Sequence, residues 1–250
     1  MSETSASESR NEDAARDLRP GLRWSVVVPA LILPLTASFF YFVFFPGTPL
    51  GNGLYTGSKV FLLLWPLVAV GFILREPIAN PYPVKRHLKS VAPGVLFALV
   101  IVGGLMLLIK ATPLSVLIDE NGPRIAERIE DLGVGDYFLL FALFISFAHA
   151  ALEEFYWRWF VFGQLRRLLP GIGSAHFLAA VGFAAHHVVV LSQFFPLGWA
   201  LGLGVCVGIG GAFWSIVYHR YGSLLGAWTS HMIIDLGLMW VGWEVLVAVG

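Results

Sequence analysis

Charge is scarce in this 250-residue sequence, and cysteine is nearly absent. Only 13% of the residues are charged, against roughly 25% in a soluble domain, while 57% are hydrophobic. The formal net charge is zero, so no basic surface indicates binding of nucleic acid. The single cysteine, Cys206, cannot form an internal disulfide, and its apolar glycine-rich surroundings favour a packing role. This composition excludes a soluble globular domain and indicates a polytopic membrane protein.

The apolar runs predict an all-α, polytopic helical membrane protein with about seven transmembrane helices. Runs of about 20 residues fit membrane helices, whereas barrel strands need only about 10. The pattern leaves the boundary between the fifth and sixth runs open. Residues 1–23 lack an apolar period and predict a disordered tail, followed by one transmembrane domain, 24–250. The predicted spans are residues 24–45, 60–74, 91–109, 137–164, about 175–199, 197–218 and 224–243.

Lysine and arginine are unevenly distributed among the loops, which predicts the orientation. The tail and the 75–90 loop carry four each, and the loops at Arg166 and Arg220 carry two and one. On the other side, the 46–58 and 192–197 loops carry none and the 111–135 loop carries two. The predicted topology is a multi-pass protein of the cell membrane with a cytoplasmic N-terminus and the C-terminus outside. The first run has no small-residue cleavage site after it, which favours a retained helix over a secretory signal.

Two further patterns predict helix packing. In the 111–135 loop, a turn is expected at Asn121-Gly122-Pro123, followed by a short amphipathic helix on the membrane surface that presents Ile125, Ile129 and Leu132. In the sixth span, the spacings Gly198/Gly202 and Gly204/Gly208 predict close approach to neighbouring helices.

The ionisable residues predicted to lie deep in the membrane are confined to residues 137–243. A charged side chain near the middle of a membrane helix costs roughly 2.5 to 3.5 kcal/mol, so function is expected in this motif-bearing half. The centres of three spans bring Glu153, His187 and His231 to similar depth, where they can share one cavity. The full set is His149, Glu153, Glu154, Arg158, His186, His187, His231 and Asp235.

Helical spacing divides the roles of the residues around Glu153. Glu154 and Arg158 are four residues apart and can pair, which offsets the burial of both charges. Glu153 is turned by about 100° from Glu154 and has no fixed cation on its own face. It is therefore the candidate general base that takes a proton from water. His149, one turn earlier, either hydrogen-bonds to Glu153 or is a structural buried histidine.

The other histidines lie on two later spans. His186 and His187 are adjacent, so only one of them is expected to face the cavity. His231 and Asp235 are four residues apart, so Asp235 can fix the tautomer of His231.

The main chemical alternative to a metal-free site is zinc. A carboxylate with two histidines is a known zinc set. However, no His-Glu-x-x-His motif occurs, and each ligand would come from a different helix. No cofactor is therefore predicted and zinc is not favoured. Cys206 and Ser215 have no sequence context typical of an activated nucleophile.

Three motifs on successive predicted membrane helices resemble the signature of the CAAX protease and bacteriocin-processing family. These are the Abi-type intramembrane glutamate-dependent proteases related to type II CAAX prenyl endopeptidases. The resemblance covers roughly residues 145–240. The motifs are Glu153-Glu154-xxx-Arg158, Phe183-xxx-His187 and His231-xxx-Asp235.

The resemblance implies a glutamate-dependent hydrolysis. Glu153 and His187 would hold and activate water, while His231 and Asp235 would stabilise the oxyanion. An Asn stands at the position of Asp235 in the prenyl endopeptidases, and an ionised Asp cannot donate to an oxyanion. Asp235 is therefore expected either to be protonated or to orient His231. The supporting residues implied are Glu154, Arg158 and Phe183.

The predicted function is that of an intramembrane endopeptidase acting on a membrane-associated protein or peptide, lipidated or not. The lipid bilayer is its other partner, and no nucleic acid is expected. Two alternatives stay open. Intramembrane Glu, His and Asp also build proton relays, as in a proton-coupled transporter. A non-catalytic immunity or binding protein could retain the same fold.

Overall fold

The computed structural model of the chain describes residues 20–78, 83–131 and 133–249. Within these ranges there is no strand, and seven helices are long and apolar enough to cross a membrane. The predicted all-α class is thus confirmed. An additional amphipathic helix, α4, follows the third of them. In chain order the helices are α1 (Pro20–Phe44), α2 (Pro49–Ile73), α3 (Val84–Ala111), α4 (Leu114–Asp131), α5 (Gly135–Leu168), α6 (Ile172–Leu191), α7 (Leu197–Tyr221) and α8 (Leu225–Val249).

The first two helices begin earlier than predicted. Residues 20–23, assigned to the tail from sequence, belong to α1, and residues 1–19 lie outside the described ranges. α2 begins at Pro49 instead of residue 60. The Thr48 side chain accepts a hydrogen bond from the Gly51 amide at 3.1 Å, and a proline in the first turn needs no amide donor. Local capping, and not apolar content, determines this helix end.

The boundary between the fifth and sixth spans is now resolved. α6 ends at Leu191 and α7 begins at Leu197, so residues 192–196 form the connection. The fifth span therefore ends earlier than residue 199, the limit expected from the apolar run.

The amphipathic segment after α3 is one continuous helix, so the turn predicted at Asn121-Gly122-Pro123 is wrong. Pro123 removes only one amide donor from the helix. Gly122 packs so closely on α8 that an added Cβ would lie 3.1 Å from Val249. Ile129 is buried in an apolar cluster with side chains of α5 and α8. α4 thus packs against the bundle, and Leu132 of its predicted apolar face lies outside the described residues.

α5 carries many of the largest buried side chains, including Tyr156, Trp157 and Phe160. The Tyr156 hydroxyl donates a 2.8 Å hydrogen bond to the Ala30 carbonyl of α1. The Trp157 ring meets Phe183 of α6 edge-on, with ring centroids 5.8 Å apart. These contacts with neighbouring helices fix the rotation of α5, and this rotation decides which motif side chains face one another.

Glycines allow α7 to approach α6, as the second predicted pair requires. An added Cβ at Gly204 would collide with Val188, and one at Gly208 would lie 3.3 Å from α6. Gly198 and Gly202 meet nothing within 4 Å among the described residues, so the close packing predicted for that pair is not present.

A second close crossing positions α8 against α3. Gly94 and Gly226 touch, and a Cβ on either would collide with the other helix's backbone. The Gly226 amide also donates to the Ser90 hydroxyl at 3.0 Å. Because His231 lies little more than one turn beyond Gly226, this crossing helps to set the position of His231.

An ionic cluster joins α1, α5 and the segment after α2. Arg23 donates to Glu76 and to Gln164, each at 2.6 Å. Arg167 pairs with the second carboxylate oxygen of Glu76 at 2.9 Å. Arg23, which the sequence placed in a tail, is buried. Its contacts anchor the start of α1.

Candidate active site

The charged motif lies on a short α-helical stretch between two π-helical segments of α5. Phe144–His149 and Phe155–Phe162 are π-helical, whereas Ala150–Glu154 is α-helical. Wide turns of the same kind also end α1 at Phe39–Phe44 and α2 at Val68–Ile73, so the turns alone do not mark a functional site. Glu153 and Glu154 are both buried, so their charges depend on nearby partners.

Glu154 and Arg158 form the ion pair that their spacing predicted. Arg158 Nη1 lies 2.9 Å from Glu154 Oε1, and both side chains are fully buried. The guanidinium carbon also lies 4.4 Å from the Phe183 ring centre and 4.8 Å from that of Trp214, which are favourable cation–π distances. At Gly211 an added Cβ would lie 3.3 Å from Arg158 Nη2, so a glycine there leaves room for the guanidinium.

Two histidines approach one oxygen of Glu153. Oε1 lies 3.2 Å from His149 Nε2 and 3.5 Å from His186 Nε2. His149 thus contacts Glu153, for which the sequence left open a hydrogen bond or a structural role. The approach of His186 was not predicted, and its ring is parallel to that of Trp157, with centroids 5.6 Å apart.

The other oxygen of Glu153 faces two more histidines. Oε2 lies 4.0 Å from His187 Nε2 and 3.8 Å from His231 Nε2. The expectation that only one of His186 and His187 would face the cavity is therefore wrong. The Glu153 carboxylate lies between the His186 and His187 rings, so each histidine approaches a different oxygen.

The hydrogen bond at Nδ1 determines the state of His187. This atom donates to the Phe183 carbonyl at 2.8 Å, since a carbonyl can only accept. In a neutral ring Nε2 then carries a lone pair directed towards Glu153. Phe183, predicted as a supporting residue, contributes both this carbonyl and the ring against Arg158.

Glu154 holds His231 more closely than Asp235 does. His231 Nδ1 donates to Glu154 Oε1 at 2.9 Å, whereas its Nε2 lies 3.6 Å from Asp235 Oδ2. The tautomer that sequence analysis attributed to Asp235 is thus set by Glu154. The indole of Trp214 stacks on the His231 ring, with centroids 4.3 Å apart.

The site is open on the side of three of its polar residues. The exposed fraction of the side chain is 24% for His187, 15% for His149 and 14% for Asp235, against 3% for Glu153. These three side chains are therefore the more accessible part of the cluster around Glu153.

A separate cavity of about 450 Å³ adjoins the motif helix on the face of Glu154. Phe155, Trp159 and Trp228 form its aromatic wall. At its polar edge, His87 and Ser223 are joined by a 2.8 Å hydrogen bond. This volume falls within the range of small-molecule sites, so the cavity has room for an apolar group beside the cluster around Glu153.

Among the residues that the structure describes, one set of side chains could hold a metal ion. Glu153, His186 and His187 each offer a ligand atom, and these atoms lie within 4.8 Å of one another. This differs from the zinc set weighed from sequence, because both histidines come from a single helix.

Residues 135–237 match the family model of the type II CAAX prenyl endopeptidase Rce1-like proteins. This match supports the family resemblance that the three motifs predicted. The Rce1-like region runs from the start of α5 into α8 and contains the three motifs from Glu153 to Asp235. Comparisons with curated proteins and with solved structures gave no match.

Proposed function

We propose that the protein is an intramembrane endopeptidase that uses Glu153 and His187 to activate water against a peptide bond. The observation that carries the proposal is that the acceptor atoms Glu153 Oε2 and His187 Nε2 face each other at 4.0 Å. Two acceptors at this separation attract a donor with two protons, and water is such a donor. The match of residues 135–237 to the Rce1-like family model supports peptide hydrolysis as the reaction.

The two oxygens of Glu153 have separate tasks in this proposal. His149 and His186 approach Oε1 and hold the carboxylate in place. Oε2 accepts the proton of the water as its oxygen attacks the carbonyl carbon. The tetrahedral intermediate then breaks its C–N bond, and Oε2 returns the proton to the leaving amine nitrogen. A fixed general base of this kind contributes about 10²- to 10⁴-fold to the rate.

His231 is the proposed oxyanion donor. Its Nδ1 already donates to Glu154, and its Nε2 faces the carboxylates of Glu153 and Asp235. A ring with acceptors at both nitrogens can carry a proton on each, and Nε2 then donates to the developing oxyanion. Asp235 orients that nitrogen, which is compatible with the presence of Asp where the prenyl endopeptidases have Asn.

Glu154 and Arg158 are positioning residues. Arg158 neutralises Glu154, and Glu154 in turn fixes His231. The proposed catalytic residues are thus Glu153, His187 and His231, with Asp235 positioning His231 and without a metal cofactor.

The substrate proposed is a membrane-associated protein or peptide. The site lies within membrane-crossing helices, and its polar side chains surround one carboxylate. Such a compact cluster supports hydrolysis over proton transport. We place the N-terminus in the cytoplasm and the C-terminus outside the cell membrane, because the distribution of lysine and arginine favours this orientation.

The test is cleavage of a peptide library, with and without farnesylated members, by detergent-purified protein. Mass spectrometry should detect new termini with the wild type and none with Glu153→Gln. The matched control is Glu244→Gln, the same substitution at an exposed position of α8, which should cleave like the wild type. Equal cleavage by wild type and Glu153→Gln, or no cleavage of any member by the wild type, would contradict the proposal.

A further inference from the structure

The three potential metal ligands are nearly in position for a small transition-metal ion. Glu153 Oε1 lies 3.5 Å from His186 Nε2, and Glu153 Oε2 lies 4.0 Å from His187 Nε2. Zinc bonds of 2.0–2.1 Å in a tetrahedron separate ligand atoms by roughly 3.3 Å. One ligand atom from each residue lies within 4.8 Å of the other two, so the side chains must rotate to bring one carboxylate oxygen and two imidazole nitrogens around a single ion.

The hydrogen bond at Nδ1 of His187 favours metal binding through Nε2 of the same ring. Histidines that bind metals usually donate their other ring N–H to a carbonyl or a carboxylate. His187 does so, through the 2.8 Å bond from Nδ1 to the Phe183 carbonyl. This leaves the lone pair of Nε2 facing Glu153.

His186 is free to present a lone pair at Nε2 as well. Its ring is buried, and Nδ1 has no hydrogen-bond partner among the described residues. If the ring proton moves from Nε2 to Nδ1, the lone pair of Nε2 becomes available to a metal ion, and no existing partner at Nδ1 is displaced. The parallel Trp157 ring limits the movement of the imidazole.

We propose that Glu153, His186 and His187 bind a divalent transition-metal ion such as Zn²⁺, and that the bound ion inhibits hydrolysis. Two imidazole nitrogens and one carboxylate favour Zn²⁺ over Mg²⁺ or Ca²⁺, which prefer oxygen ligands. The inhibitory part rests on the function proposed above. A carboxylate that coordinates an ion cannot also accept the proton of water, and the ion occupies the space between Glu153 and His187 where water is to be activated.

Cobalt(II) tests the site without using activity, because tetrahedral Co²⁺ absorbs visible light. Purified full-length protein, freed of metals with a chelator, is titrated with Co²⁺ and then with Zn²⁺ or Mg²⁺. We expect one Co²⁺ per chain, displaced by Zn²⁺ and not by Mg²⁺. His186→Gln should weaken binding by more than about tenfold. His176→Gln is the matched control, since it makes the same change on the same helix at a ring that stacks on Phe162.

Absence of stoichiometric Co²⁺ binding by the wild type would overturn the proposal, as would unchanged affinity in His186→Gln. In a second experiment, Zn²⁺ is added to the cleavage assay, where we expect loss of activity that a chelator restores. Stimulation by Zn²⁺ would overturn the inhibitory part and indicate a metallopeptidase. If the wild type cleaves no peptide, the proposed function fails, while the cobalt spectrum still decides whether the metal site exists.

Discussion

Replacement of Arg158 by methionine should strongly destabilise the protein. Arg158 pairs with Glu154 at 2.9 Å, and both side chains are fully buried. Removing one partner of a buried ion pair leaves an uncompensated charge and typically costs about 3–5 kcal/mol. The lost guanidinium contacts with Phe183 and Trp214 add up to about 2 kcal/mol each. We therefore expect Arg158→Met to lower the free energy of unfolding by at least about 3 kcal/mol.

Reversible unfolding in mixed micelles with increasing dodecyl sulfate, followed by tryptophan fluorescence, measures this change. The double variant Glu154→Gln/Arg158→Met carries no unpaired charge and should recover most of the lost stability. Arg167→Met is the matched control, because its partly exposed pair with Glu76 should contribute about 1 kcal/mol or less. The reasoning is refuted if Arg158→Met lies within about 1 kcal/mol of the wild type, or if the double variant is no more stable than the single one.

Three further predictions concern packing and the site. Gly94→Ala should destabilise the protein by about 1–3 kcal/mol, because its Cβ would collide with the α8 backbone. Gly103→Ala, on the same helix, places its Cβ in open space and should not destabilise the protein. Equal unfolding midpoints of the two variants would contradict this reasoning. His149→Leu should lower kcat by about tenfold with little change in KM, because it removes a contact of Glu153 Oε1, and an unaltered kcat would exclude that role. Asp235→Asn should retain cleavage within about tenfold, whereas Asp235→Leu should lose it by more; equal activities would show that no polar group is needed there.

The apolar content of the chain was enough to predict the seven spans, but not all their ends. The start of α2 depends on the cap at Thr48 and Pro49. The residues that follow the cap include several glycines and are not strongly apolar, so the apolar pattern did not include them in the helix. Gly122, where a turn was predicted, packs against Val249 of α8, more than a hundred residues later. Local pattern cannot report such long-range packing.

Within the site, contacts along one helix could be predicted from spacing. The pair of Glu154 with Arg158 is an example. Contacts between helices could not, because they depend on how each helix is rotated. The bond from His231 to Glu154, 77 residues apart, and the approach of His186 to Glu153 are of this kind. The adjacent histidines His186 and His187 were the sequence feature that could have indicated the second contact. That both rings approach Glu153 became clear only from the position of its carboxylate between them.

The most direct test of the account is kcat/KM of Glu153→Gln beside the wild type, on a peptide that the wild type cleaves, with a chelator present. The two proteins should unfold at similar denaturant concentrations, so that a difference in rate reports chemistry. The account predicts that the wild type stays active in chelator and that Glu153→Gln loses at least about 100-fold in kcat/KM. A folded Glu153→Gln protein with activity within tenfold of the wild type, or a wild type inactivated by the chelator, would contradict it.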